Sequence, residues 1–120
     1  MKLGMIVAAT LAAACGASYP APTQRMADAQ SAYRSARELG ADKHPAAQLH
    51  LKLAAEQIAE ASTILKDNDN RRADFVLIRA KADAELALAL AREQRSNMEA
   101  QQAVEQSNAQ AATNANQGAR

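Results

Sequence analysis

Three stretches of the chain repeat apolar side chains at three- and four-residue steps, the spacing of one face of an α-helix. From about Thr23 to Leu39 that face is Met26, Ala29, Tyr33, Ala36 and Leu39 or Gly40. Gly40 can adopt positive φ at low cost, which predicts the stop. ADKH at 41–44 connects, and Pro45 suits the first position of a second helix, where a backbone N–H would have no intrahelical partner. From Pro45 to Lys66, Ala47, Leu51, Ala54, Ile58, Ala61 and Leu65 advance by alternating fours and threes, a heptad-like seam. DNDN at 67–70 predicts a break, because Asp and Asn favour turns and cap a following helix. A third helix is predicted from near Arg71 to at least Gln94, with two stripes on nearly opposite sides. One is Ala73, Leu77, Ala80, Ala84, Leu88 and Ala91; the other is Phe75, Ile78, Ala82, Leu86 and Leu90. A helix apolar on two sides calls for two neighbours, so the pattern predicts an all-α fold, a small antiparallel helical hairpin or three-helix bundle.

Outside these stretches the pattern changes. After Lys2, the twelve residues Leu3 to Ala14 carry no charge and are mostly apolar. That is the length of a signal-peptide core and well short of the roughly 20 apolar residues that span a bilayer. GASYPAP at 16–22 reads as a short extended tether, with its prolines opposing helix. At the other end, residues 101–120 hold six Ala, five Gln and three Asn, and Val104 is the only large apolar side chain. Nothing there can form a packed face, so the third helix is expected to run to about Ser107 and fray, with the remainder disordered.

The only cysteine, Cys15, closes the apolar leader in LAAACGAS. This stretch resembles a bacterial lipobox, in which the cysteine sulfur receives a diacylglyceryl group before the peptide bond ahead of it is cut. The resemblance implies cleavage between Ala14 and Cys15, acylation with fatty chains such as palmitate, and a mature chain beginning at Cys15. Leu11 stands one place before the usual Leu position, which Ala12 occupies. Several acyl chains at ~0.8 kcal/mol per buried CH₂ would hold the protein on a membrane permanently. Gly16 in place of the retention aspartate implies the periplasmic face of an outer membrane. The alternative is an ordinary secretory signal that leaves a free thiol. The organisation expected is a lipoprotein signal peptide at 1–14, a lipidated tether at 15–22, a helical domain at 23–95 and a polar Ala/Gln/Asn-rich tail at 96–120.

Composition thins the expected core. From Cys15 onward there are 27 Ala but only 19 of Leu, Ile, Val, Phe, Met and Tyr together. Alanine seams let backbones approach closely, yet at roughly 25 cal/mol per Å² they bury little, so stability should be modest. Beyond Lys2, thirteen basic side chains face thirteen acidic ones, and no basic field points to nucleic acid. ADAQSAYRSARE at 27–38 and ADAELALALARE at 82–93 agree at seven of twelve positions, an echo that duplication or shared alanine composition could each produce.

Candidate chemistry is sparse. DNDNRRADFVLI resembles a calcium loop only superficially, with Arg71 and Arg72 at the fifth and sixth positions and Ile78 where the closing Glu belongs. His44 and His50, six apart, are wrongly spaced for ligands on one helix face and read as capping or surface residues. Glu56, Glu60, Asp83 and Glu85 read as exposed members of weak solvated pairs. No catalytic residue, metal ligand or cofactor is assigned.

The order of these features resembles one known family. Cys15 in its lipobox, a Pro-led first helix with AxxAxxxA spacing, the GA pair at Gly40 and Ala41, Pro45 and the DA pair at Asp83 and Ala84 are similar to the short helical lipoproteins grouped as domain of unknown function 4398. The resemblance covers roughly residues 15–95. It implies an envelope lipoprotein; many members carry an added peptidoglycan-binding domain of the outer-membrane-protein-A type, which the polar tail here does not match. Arg120 also offers a guanidinium where lipoproteins joined covalently to peptidoglycan use a terminal lysine amine. The expected function is therefore a non-enzymatic, lipid-anchored helical module that binds an envelope protein or itself, with Leu49 and Leu53 as candidate interaction residues. Peptidoglycan association as a structural spacer is the alternative, and nucleic acid is not expected as a partner.

Overall fold

The computed structural model describes residues 18–119. Three α-helices follow one another: α1 at Thr23–Glu38, α2 at Pro45–Lys66 and α3 at Asn70–Gly118. The turns carry the backbone chemistry that ends each helix. Gly40 takes φ 87° after α1, and a single 3₁₀ turn at Ala41–Lys43 leads to Pro45 at the start of α2. Between α2 and α3, Asn68 adopts a left-handed φ of 59°, which Asn tolerates better than most residues. The Asp69 side chain then accepts a hydrogen bond from the Arg72 backbone N–H at 3.2 Å, capping α3. Among the described residues, no helix is long and apolar enough to cross a membrane.

The core is built in two layers along the bundle. At one end Ala29, Ala61, Ile64, Ala73, Val76, Leu77 and Ala80 are buried together, with Met26, Ile58 and Leu65 packed against them. At the other, Ala36, Ala41, Ala47, Leu51, Ala87 and Ala91 form the second layer, bordered by Tyr33, Leu39, Leu88 and Leu90. The start of α1, the end of α2 and the start of α3 thus share one layer. So α1 and α3 run parallel, and α2 runs against both. Among the described residues, Leu77 is the only large side chain with essentially no exposure; most other fully buried positions are alanine.

Two expectations need correction. Two apolar stripes predict a neighbour on each side of α3, but Phe75, Ile78 and Leu86 of the second stripe are exposed. In a three-helix bundle the two partners of one helix lie about 60° apart around it, so α1 and α2 share one broad face of α3 and leave the opposite face open. Leu90, nearer the α2 edge, is half-buried. The second correction concerns length: α3 continues through Ser107 to Gly118 as a single helix of 49 residues, about 73 Å at 1.5 Å per residue. Its last buried residue is Ala91, and the helix from Arg92 to Gly118 is exposed. Local terms account for the continuation. Ala, Gln, Glu and Arg are good helix formers, no Pro or Gly interrupts before Gly118, and Arg95 donates to Glu99 at 2.8 Å one turn on.

Candidate functional site

Side chains on α3 hold the other segments in place. Asp74, buried despite its charge, lies on the α1 edge of the helix. Tyr19 donates its hydroxyl to Asp74 Oδ2 at 2.7 Å, and the Arg25 guanidinium pairs with Oδ1. Asn70 Nδ2 donates to the Tyr19 carbonyl at 2.8 Å, so the chain entering α1 is fixed to α3 at both backbone and side chain. A charge this poorly hydrated needs such partners, because an unpaired buried carboxylate would be neutralised or exposed.

Asp83 does the same for α2. His50 Nδ1 lies 2.8 Å from Asp83 Oδ1, and Gln57 Nε2 donates to Oδ2 at 2.9 Å. Gln57 Oε1 is buried with no partner among the described residues. This corrects the reading of Asp83 as a solvated surface acid and of His50 as a capping or surface residue. Both are half-buried and bridge two helices. His44 does stand at the N-cap of α2, but its side chain makes no capping bond. The other acids match expectation: Glu56 pairs with Lys52 at 3.8 Å, Glu60 with Arg72 at 3.8 Å and Glu85 with Lys81 at 3.5 Å, all exposed.

The Tyr19 clamp has a pH signature. Its hydrogen bond to Asp74 raises the phenol above the ordinary value of 10.0, with desolvation and the Asp74 charge adding to the rise and Arg25 and Arg71 opposing it. A raised value means that the folded chain holds this proton more tightly than the unfolded one. The clamp's contribution is therefore complete below about pH 10 and is lost as pH rises through the raised value. In an absorbance titration, the wild-type phenolate signal minus that of Tyr19→Phe should show a midpoint above 10. A midpoint at or below 10 would mean the clamp does not form.

Of the residues singled out by sequence, Ala14 and Cys15 lie outside the described residues. Leu49 is 57% exposed and Leu53 is half-buried. They flank His50 and Gln57 on α2, so they border the edge where Asp83 binds. Phe75, Ile78 and Leu86 make the larger uncovered apolar strip, along the outward face of α3. A groove of about 560 Å³ lies between the incoming Tyr19 and Pro20 and the α2–α3 turn, rimmed by the exposed Asn68, Asp69 and Arg71. Among the described residues, no group of three or more His, Cys, Asp and Glu could hold a metal ion.

The family model described as Domain of unknown function (DUF4398) matches residues 24–103. The chain belongs to this family. The match takes in nearly all of α1, all of α2, and α3 as far as Ala103. The family segment therefore runs past Ala91, the last buried residue, onto the free part of α3. No curated protein and no solved structure matches the chain.

The two aspartate clamps were missed by sequence reasoning, although periodicity held a signal for Asp83. It stands three residues after Ala80 and four before Ala87, both of which point into the core.

Proposed function

We propose that the chain is a non-enzymatic component of a bacterial cell envelope, anchored at the periplasmic face of the outer membrane by acyl chains on Cys15, that offers helical surface to a protein partner. The observation that carries this reading is the disposition of α3: one apolar face uncovered beside the bundle, and a continuation past Ala91 exposed on every side. Uncovered apolar faces of this kind serve helix-to-helix recognition. Support for the anchor comes from the likeness of LAAACGAS to a lipobox. The polar groups that the fold does gather, at Asp74 and Asp83, are occupied in holding helices together. The length of α3 favours one other reading, a spacer that lies against peptidoglycan.

Anchor and surface can be tested on the same preparation. Mass spectrometry of the membrane fraction should find acyl mass on the peptide beginning at Cys15; a soluble species with a free thiol would end the anchored reading. Affinity capture from detergent-solubilised envelope should recover a helical protein or further copies of the chain. The double change Phe75→Gln with Leu86→Gln, both exposed on the outward face of α3, should weaken that capture while leaving helicity mostly intact. Salt-resistant sedimentation with purified sacculi, and no protein captured, would put the spacer reading first.

A further inference from the structure

We propose that the outward face of α3 pairs with the same face of a second copy, antiparallel, about a two-fold axis at Ala82. The proposal rests on the reading of the chain as an interaction module and names its partner. The chain's single phenylalanine, Phe75, is 57% exposed, an unusual position for a side chain that buries so much apolar area when covered. It belongs to a run of exposed positions, Arg71, Phe75, Ile78, Ala82, Leu86, Ala89 and Glu93, whose steps are four, three, four, four, three and four. That spacing reads the same from either end, with Ala82 at its centre.

Such a face matches itself when turned end for end. In an antiparallel pair centred on Ala82, positions equally distant from the centre oppose one another. Ile78 then meets the second copy's Leu86, Phe75 lies over the small Ala89, and Arg71 meets Glu93. Ala82 meets itself on the axis, where its small side chain allows the close approach of helices packed 8–10 Å apart. Arg71 and Glu93 form no ion pair among the described residues, so both remain available across the contact. The edges agree with this arrangement. Antiparallel helices place like edges together, which brings Lys81 within about a turn of the second copy's Glu85.

A parallel pair would instead stack Arg71 on Arg71 and Glu93 on Glu93, and like charges repel. An unrelated helix has no reason to match a palindrome of charge and size. Because each copy uses the same patch, the contact closes at two chains and does not propagate.

The test uses the full chain in mild detergent, with single changes Ala82→Cys, Arg71→Cys or Glu93→Cys and a short bifunctional thiol reagent. All three positions are exposed, so the bundle is not at risk. Thiol labelling of the unaltered chain comes first: a reactive Cys15 counts against the acyl anchor alone, and the series then proceeds with Cys15→Ser added. Ala82→Cys should cross-link to itself. Arg71→Cys and Glu93→Cys should each give at least tenfold less product alone than when the two are mixed. Glu93→Arg should weaken dimerisation about threefold or more, and adding Arg71→Glu should restore it. Self-linking of Arg71→Cys and of Glu93→Cys would mean a parallel pair and overturn the proposal, as would a chain that none of the changes links. Capture of a different helical protein on this face by an unlinked, monomeric chain would overturn the second copy as occupant while leaving the interaction reading intact.

Discussion

Replacing Leu77 by alanine is expected to destabilise the bundle by about 2–5 kcal/mol, the range for truncating a fully buried leucine. The site leaves little scope for relaxation. Leu77 has no exposure and shares its layer with Ala29, Ala61, Ala73 and Ala80, whose methyl groups are too short to close a void. Ile64 and Val76 are the larger buried members of the layer, and Met26, Ile58 and Leu65 close it from partly buried positions. The loss should therefore lie high in the range and shift the thermal or urea transition followed by circular dichroism. Part of the helical signal belongs to α3 beyond Ala91, which buries no residue among those described and should melt gradually, so the cooperative step is the quantity to compare. Glu60→Ala is the control. That side chain is 47% exposed and pairs with Arg72 at 3.8 Å, a solvated contact whose loss should cost no more than about 0.5 kcal/mol. Equal effects of the two changes would mean that the buried face of α3 is assigned wrongly.

Much of this fold can be read from local chemistry, because each boundary carries a residue whose backbone preference decides it. Gly40 supplies the positive φ, Pro45 opens α2, and Asp69 caps α3 within the DNDN break. The alanine-rich seams are legible for the same reason: Ala47, Leu51, Ala54 and Ala61 recur at the helical period and are buried. Ile64 and Ala87 are buried as well, although each stands one residue before a seam position, Leu65 or Leu88. A helix in contact with two neighbours buries a band wider than a two-position stripe. Which stripe of α3 would face outward was not legible. Both are apolar, and only the mutual packing of three helices chooses between them. The clamps at Asp74 and Asp83 escaped because a charged residue reads as solvent-facing until its partners, distant in sequence at Tyr19 and His50, are brought to it. The length of α3 is not legible because a segment without a packed face reads as one that frays. Propensity and one-turn side-chain pairs can sustain an Ala- and Gln-rich helix once the bundle has nucleated it.

The second large effect concerns the opposite error, too much volume. Ala87 is fully buried where all the helices converge, in one layer with Ala36 of α1, Ala41 of the connecting turn, and Ala47 and Leu51 of α2. Alanine at this point sets how closely the backbones approach. Ala87→Leu forces a branched side chain into a fully buried alanine position, and overpacking of this kind costs about 1–3 kcal/mol and sometimes more. Strain should spread to the neighbouring Asp83 clamp, four residues earlier on the same face, since moving α3 away from α2 stretches the bonds from His50 and Gln57. The cause can be separated from a simple loss of helix propensity, because leucine is nearly as good a helix former as alanine. Leu51→Ala alone should also destabilise, by leaving a cavity in the same layer. Combined with Ala87→Leu it returns volume close to where volume was removed. The double variant should then be more stable than the sum of the two single losses predicts, with a coupling of about 0.5–3 kcal/mol. Strict additivity would mean that residues 51 and 87 do not share a packing layer, and the antiparallel register of α2 on α3 would have to be redrawn.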